Sequence, residues 1–194
     1  MQDWTYDDGG YHFPVEARSA IPADHPLRWL FSAMVERAFL TKLGVYDSSV
    51  TGYLADVLTD FSHVKNVYKI RSLSGIALDE IADMLVEADV RLNAASFNRE
   101  REIHKHIGDF ALFWTGLFPD SLPRLQDSAR KDCLIDYVKQ GKSSYAIAAS
   151  FDRGEYGRQA PVLRRLSEEF ELCMLGLNIV RGEMDQLPSG TLPA

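Results

Sequence analysis

One stretch of the sequence gathers most of the residue types that carry out acid–base or metal chemistry. It runs from Arg99 to Trp114 and reads Arg-Glu-Arg-Glu-Ile-His-Lys-His-Ile-Gly-Asp-Phe-Ala-Leu-Phe-Trp. A helix turns by about 100° per residue, so Glu102, His106 and Asp109 form one row at i, i+4 and i+7. Such a row could coordinate a metal ion, or could transfer a proton while a carboxylate orients the imidazole ring.

The apolar residues of the same stretch indicate where this row would lie. Four of them fall within a narrow arc that should face the core, namely Ile103, Phe110, Trp114 and Leu117. Arg99 and His106 lie inside that arc, whereas His104 and Lys105 point elsewhere. The candidate ligand-binding residues are therefore Arg99, Glu102, His106, Asp109 and Trp114. The candidate metal ligands among them are Glu102, His106 and Asp109.

The same residues also fit a purely structural role. Buried charges must be paired, so Arg99 could pair with Glu102 and His106 with Asp109 in an internal network. We favour this network, because ion-pair networks cluster polar groups in the same way as functional sites do. The spacing agrees with it, since di-iron helical bundles use Glu-x-x-His and here Glu102 and His106 are four residues apart.

Other stretches have parts of functional motifs but lack what those motifs need. Asp60 and His63 have an i, i+3 spacing, but both should lie on the solvent face of their helix. Gly141-Lys-Ser143 lacks the first glycine of a P-loop five positions earlier. The helices in 145–165 are joined by too long a connection for a helix-turn-helix motif. No nucleophile elbow is present, and the motifs indicate no particular cofactor.

Charge is unevenly distributed along the chain. The third predicted helix carries Asp79, Asp83 and Glu87 at four-residue spacing, so like charges are neighbours and repel. Residues 130–165 instead hold eight basic residues against four acidic ones, in a chain whose net charge is -7. We expect these two regions to attract each other, within one chain or between subunits.

Six helices are predicted to position these residues. They run from Asp24 to Gly44, from Asp47 through Val64, from Ser74 through Leu92, from Ser96 to Leu117, from Asp127 with a bend or break near Gly141, and from Pro161 to Met184. The sixth has the clearest apolar periodicity in the chain. The fold class is therefore all-α, a single bundle-like domain.

The domain limits follow from the same pattern. Residues 1–23 are predicted to form an N-terminal hairpin, or else a loosely ordered arm, because β-forming residues flank Asp7-Asp-Gly-Gly10. Residues 24–184 form the helical bundle, and 185–194 a flexible tail.

Composition limits the classes of protein. A chain of 194 residues that is 46% hydrophobic has the size and core of one domain, and is neither disordered nor fibrous. Its acidic balance argues against nucleic-acid binding. Cys133 and Cys173 are expected to be reduced and buried. No apolar run approaches the ~20 residues that span a bilayer and no signal peptide is evident, so we expect a cytoplasmic protein without membrane association.

The expected function follows from apolar helix surface. Residues 110–118 are apolar nearly all round and 172–180 over a broad face, which is more than six short helices should cover. We expect a helical module that acts through self-association, most simply as a homodimer, or by docking a protein partner. The alternative is a metal- or small-ligand-dependent helical enzyme with its pocket on the fourth helix.

Overall fold

The computed structural model describes residues 25–89 and 96–187 of the chain. Within these residues all regular secondary structure is helical, and the one β-type contact is an isolated bridge between Arg71 and Ala77. The predicted all-α, bundle-like fold is therefore confirmed. None of the described helices combines the length and apolar character needed to cross a bilayer. The predicted hairpin or arm at 1–23 and most of the predicted tail at 185–194 lie outside the described residues.

Nine α-helices make up the described part of the chain. They are α1 Pro26–Arg37, α2 Ser48–Phe61, α3 Val64–Val67, α4 Ile81–Ala88, α5 Phe97–Leu117, α6 Leu122–Leu125, α7 Tyr137–Ser150, α8 Ala160–Glu168 and α9 Phe170–Met184. A π-helical segment at Ala38–Leu43 extends α1. Short 3₁₀ segments occupy Pro119–Ser121, Lys131–Leu134 and Gly154–Arg158.

Helix α5 lies at the centre of the bundle. It packs most extensively against α7, and it also contacts α9, α4 and α2. Ile103, Ile107, Phe110 and Leu112 are completely buried in these contacts. The apolar second half of α5 is therefore covered within the chain itself, as its sequence predicts for a central helix.

Two glycines allow close contacts between helices of the bundle. A Cβ atom on Gly108 of α5 would lie 2.5 Å from Cδ1 of Tyr145, and one on Gly141 of α7 would lie 2.5 Å from Cζ of Phe170. The predicted break at Gly141 is wrong, because α7 runs through this residue without interruption. The glycine is needed to admit the Phe170 ring.

The third predicted helix begins later than expected. Residues Ser72–Gly75 form a tight turn in which Ser72 accepts the Gly75 and Ile76 amides, and Gly75 has a positive φ of 82°. The helix itself starts only at Ile81. The Ser-Gly pair that suggested a helix start therefore belongs to a β-turn.

The fifth predicted helix also begins later. Asp127 accepts the nearby Ala129 amide with its side chain and the Arg130 amide with its carbonyl, in a local turn. The chain then forms a 3₁₀ segment at Lys131–Leu134, and α7 starts after the Asp136 cap. The reason is tertiary, because the Asp132 side chain in this segment is hydrogen-bonded to α4. Cys133 lies in the same segment and is half-exposed, which corrects the prediction that both cysteines are buried.

Two further predicted helices are divided. Helix α2 ends at Phe61, where the Asn66 amide donates to the Asp60 carbonyl, so Val64 is 71% exposed and does not join the apolar face. The sixth helix is split at Glu169 into α8 and α9. Its predicted apolar face is retained, with Leu163, Leu166, Phe170, Cys173, Leu177 and Val180 all buried.

Candidate functional site

The start of α5 determines where the predicted row of Glu102, His106 and Asp109 lies in the helix. Ser96 Oγ accepts the Arg99 amide at 3.2 Å, so the helix starts where the sequence predicts. His106 and Asp109 are buried at 1% and 2% exposure. Glu102 is exposed instead and pairs with the guanidinium of Arg101. The row therefore begins at the surface and ends in the core.

Asp109 lies at the centre of a buried polar network. Its Oδ1 accepts the hydroxyl of Tyr53 from α2 at 2.7 Å and the hydroxyl of Tyr145 from α7 at 2.8 Å. Its Oδ2 accepts the ammonium of Lys105, one helical turn earlier in α5, at 3.1 Å. This carboxylate thus joins three helices.

The electrostatics of the network keep Asp109 ionised as a carboxylate and Lys105 ionised as an ammonium. Burial by itself would raise the pKa of the Asp109 carboxyl, but the Lys105 ammonium, the Lys69 ammonium and the Tyr53 hydroxyl bring it below its ordinary value. Burial by itself would lower the pKa of Lys105, but the combined effect of Asp109, Tyr53 and Glu102 raises it above its ordinary value.

The two hydroxyls that bind Asp109 stay protonated. The pKa values of Tyr53 and Tyr145 are both raised, first by burial and then by the Asp109 charge. None of these four groups has its pKa shifted toward neutral pH, where general acid–base catalysis is most efficient. The arrangement is that of a structural network.

His106 has a different partner from the predicted one. Its Nε2 lies 3.0 Å from the Val67 carbonyl oxygen, which can only accept, so Nε2 carries the proton. Its Nδ1 has no hydrogen-bond partner within the described residues. The predicted His106–Asp109 hydrogen bond is therefore wrong. Burial, together with the Lys69 ammonium, lowers the pKa of His106 to about 3, so the imidazole is neutral.

Arg99 and Trp114 lie at opposite ends of α5. Arg99 donates to the Arg71 carbonyl at 2.6 Å and contacts Glu87 at 3.4 Å, so it joins α4 and the 70–77 turn to the start of α5. Its predicted partner Glu102 is bound to Arg101. Trp114 is half-buried in an aromatic cluster with the rings of Phe110, Phe113 and Phe118.

The five predicted residues are therefore not gathered around one cavity. Across residues 25–89 and 96–187, no group of three or more His, Cys, Asp or Glu side chains is arranged to hold a metal ion. The sequence did not predict the residues that bind Asp109, namely Tyr53, Lys105 and Tyr145. The helical spacing also placed Lys105 and His104 away from the core. His104 is in fact buried with its Nδ1 3.3 Å from Ser144 Oγ. The i, i+4 spacing of Lys105 and Asp109 was the signal that could have identified the ion pair.

A second buried carboxylate, Asp132, was also missed. It is completely buried, and its two oxygens accept the backbone amides of Ile81 at 2.9 Å and Ala82 at 2.8 Å at the start of α4. The Tyr137 hydroxyl donates to the same carboxylate at 2.7 Å. Asp132 thus caps a helix 50 residues away in sequence, and no local pattern indicates this.

The predicted attraction between the acidic and basic regions is confirmed around this cap. Lys131 lies 2.6 Å from Asp83, and Arg130 lies 2.9 Å from Asp79. The Glu80 carboxylate also accepts the backbone amide of Lys131 at 2.7 Å. These pairs form within one chain, so the acidic residues around the start of α4 are paired with Arg130 and Lys131.

Comparison of the chain with protein-family models, with curated proteins and with solved structures finds no match.

Proposed function

We propose that this protein is a non-catalytic helical module that acts through self-association or by docking a protein partner. The observation that carries the proposal is a set of large apolar side chains that remain 66% to 92% exposed although the core is complete. They are Trp29, Tyr46, Val64, Leu73, Ile76, Phe97 and Leu134. Single exposed apolar residues are common, but groups of them mark interaction surfaces.

Some of these residues lie on elements that are joined to each other. Leu73 lies in the tight turn at 72–75 and Ile76 follows it. Arg99 binds the Arg71 carbonyl just before this turn, and so joins it to the start of α5, where Phe97 lies. An exposed apolar group on neighbouring rigid elements supports a role in recognition, since little ordering is needed on binding.

The buried polar groups also support a non-catalytic role. The charges of Asp109 and Lys105 neutralise each other, and Asp132 is held by two backbone amides. These groups link helices, so their chemistry is accounted for by the fold.

Light scattering on the purified chain tests the proposal. We expect the average mass to rise with concentration, or a purified protein partner to bind with a defined stoichiometry. Ala146→Asp on α7 is the control variant, because it adds a charge at an exposed position without removing a large apolar group. It should associate as the wild-type chain does. A wild-type chain that stays monomeric over a wide concentration range and binds no protein partner would contradict the proposal.

A second candidate function is a metal- or ligand-dependent enzyme, and one observation favours it. The Nδ1 lone pair of His106 is buried without a partner in the described part of the chain, and a bare imidazole nitrogen is a good metal ligand. Metal analysis of protein prepared without a histidine tag, alongside His106→Ala, tests this candidate. Bound metal that is lost in His106→Ala supports it. Metal-free protein in which His106→Ala only lowers the melting temperature contradicts it.

A further inference from the structure

The loop at 70–78 is held in one conformation on the surface of the bundle. Arg71 and Ala77 form the isolated antiparallel bridge, and the Leu78 amide donates to the Ile70 carbonyl at 2.9 Å. Ile70 and Leu78 are buried, so alternation along the two arms directs Arg71 to the solvent. The Arg99 guanidinium binds the Arg71 carbonyl and joins the loop to the start of α5. The loop therefore presents a preorganised surface.

Large apolar side chains are exposed on this loop and beside it. Leu73 and Ile76 lie at its turn, Phe97 lies at the start of α5, and Val64 lies on α3, just before the loop in the chain. These four side chains are 66% to 72% exposed. An apolar group of this kind on rigid elements is typical of a binding surface.

The same part of the chain is basic. Residues 61–78 form the longest run of the sequence without an aspartate or glutamate, and they contain Lys65, Lys69 and Arg71, all exposed. The charge of Lys69 acts on the Asp109 network. Lys65 and Arg71, in contrast, form no ion pair with any residue of 25–89 or 96–187.

We call this combination of exposed apolar and basic side chains the loop surface. It consists of Val64, Lys65, Lys69, Arg71, Leu73, Ile76 and Phe97. Two other exposed aromatic residues have different surroundings, because Tyr46 is next to Asp47 and Trp29 is next to Arg28, which is paired with Asp56. The loop surface is therefore suited to a segment that is both apolar and acidic.

The first 24 residues of the chain have this complementary character. They contain five acidic residues against one basic residue, and they also contain the aromatic residues Trp4, Tyr6, Tyr11 and Phe13. These residues lie outside the described part of the chain, which begins at His25. Aromatic rings can cover exposed leucine and isoleucine, while carboxylates attract unpaired bases.

The segment is also long enough to reach the loop surface. An extended chain of 24 residues spans at most about 80 Å, whereas a domain of this size is about 40 Å across. Both groups belong to one chain, so a weak attraction is sufficient to bring them together. A second copy would have to make the same contacts and also meet the entropic cost of association.

We propose that residues 1–24 dock on the loop surface of the same chain, with their aromatic rings against its apolar side chains and their carboxylates beside its unpaired bases. This inference goes beyond the proposed function, because the contact forms within one chain and needs no partner. A protein that binds the loop surface has to displace residues 1–24, so the segment acts as an internal competitor.

Carbodiimide coupling of the full chain tests the contact, because this reagent joins a carboxylate directly to an amine without a spacer. We expect amide links from the carboxylates in residues 1–16 to Lys65 or Lys69, identified by mass spectrometry of the digested chain. Lys42 and Lys139 are the control amines, since both are exposed and form no ion pair within the described residues. Coupling to these controls as often as to Lys65 and Lys69 would overturn the assigned surface.

Surface variants give an independent measurement. Arg71→Glu/Leu73→Asp keeps both reacting lysines and should lower the yield of the link about tenfold, since a favourable charge is reversed and an apolar contact is lost. The matched control is Arg124→Glu/Leu134→Asp, which makes the same changes at another exposed arginine and leucine and should leave the yield unchanged. All four side chains are exposed, so both variants should retain the wild-type circular dichroism spectrum.

An equal mixture of nitrogen-15-labelled and unlabelled chains shows whether the link forms within one chain. Linked peptides of a single isotopic composition support the proposal, whereas mixed pairs overturn it and indicate association between chains. Absence of the link, or equal yields in the two double variants, also overturns it. Each of these results leaves the proposed function intact, because light scattering and partner binding test that function separately.

Discussion

Asp109 and Asp132 are two buried carboxylates that the fold stabilises in different ways. Asp109 is neutralised by an ammonium group on its own helix and accepts two tyrosine hydroxyls. Asp132 accepts two backbone amides at the start of α4 and one tyrosine hydroxyl. One site uses a formal positive charge, and the other uses the partial positive charge of a helix N-terminus.

The difference indicates what each site contributes. Removal of Asp109 leaves the half-buried ammonium of Lys105 without a counter-charge, which is the more costly situation. Removal of Asp132 leaves neutral N–H groups that water can reach if the end of α4 frays. The Asp109 site should therefore control global stability, and the Asp132 site should control the local order of α4.

The largest expected effect is that of Asp109→Ala. It should lower the free energy of unfolding by about 3–5 kcal/mol, because it removes a buried carboxylate and leaves a half-buried ammonium and two hydroxyls without their acceptor. Urea denaturation measures the change. Asp120→Ala at an exposed position is the control and should change stability by less than about 0.5 kcal/mol. Equal effects in the two variants would show that the Asp109 network contributes little.

Asp132→Ala should cost about 2–3 kcal/mol, since a helix cap and a buried hydrogen bond are lost together. We also expect faster hydrogen exchange of the Ile81 and Ala82 amides, with little change in α5. The comparison variant is Asp47→Ala, which removes the half-buried cap of α2 and should cost only about 1 kcal/mol. Unchanged exchange at Ile81 would contradict the assigned cap.

Tyrosine-to-phenylalanine variants compare the hydroxyl donors of the two sites. Tyr145→Phe and Tyr137→Phe should each cost about 1.5–2 kcal/mol, because each removes a buried hydrogen bond to a carboxylate. Tyr53→Phe should cost less, because Tyr53 is only half-buried and water can replace its hydroxyl. Thermal unfolding of the three variants tests this order, and a larger loss in Tyr53→Phe than in Tyr145→Phe would reverse it.

The pH dependence of the free energy of unfolding further distinguishes the Asp109 site from the Asp132 site. The pKa of His106, which lies beside Asp109 on α5, is lowered to about 3, against about 6.5 in an unfolded chain. Between these values the unfolded state binds a proton that the folded state does not. Stability should therefore fall as the pH decreases from about 6.5 toward 3, by at most about 1.4 kcal/mol per pH unit from this group.

His106→Gln should remove this part of the slope, since a glutamine amide can still donate to the Val67 carbonyl. His63→Gln, at an exposed histidine, is the control and should keep the wild-type slope. Denaturation curves between pH 4 and 7 provide the measurement. The lowered pKa of Asp109 acts in the same direction but only below the usual Asp range of about 3.9, so it does not obscure the comparison.

The smallest expected effect concerns the exposed pairs around the Asp132 site. Lys131→Ala removes the contact with Asp83 and should cost less than about 1 kcal/mol at low salt. The cost should disappear at high ionic strength, in contrast to that of Asp109→Ala. Salt titrations of both variants measure this contrast, and a salt-independent loss in Lys131→Ala would contradict it.

Helical faces could be predicted from the sequence because they depend on a local period. The apolar stripe from Leu163 to Val180 and the position of α5 at the centre are both confirmed. Helix starts were predicted less well, since Ser74-Gly75 and Asp127 are turn residues as well as helix-start residues. Whether each of these residues starts a helix or forms a turn depended on neighbours that are distant in sequence.

Partners within the site could not be predicted from one helix alone. The row of Glu102, His106 and Asp109 is correct as a helical spacing, yet its members bind Arg101, Val67 and Tyr53 instead of each other. Side chains on one helix compete with backbone and side-chain groups from α2, α3 and α7, and the closer, better-aligned partners bind.

The sequence by itself determined that the chain forms helices, which of their faces are apolar, and that its acidic and basic regions attract. These properties follow from residue type and local spacing. Only the tertiary structure decided that Asp132 caps α4, that Asp109 binds two tyrosines, and that Arg99 joins the loop at 70–78 to the start of α5. Each of these depends on bringing residues together across the bundle, and hydrogen bonds and burial act on distances in space that the order of residues does not specify.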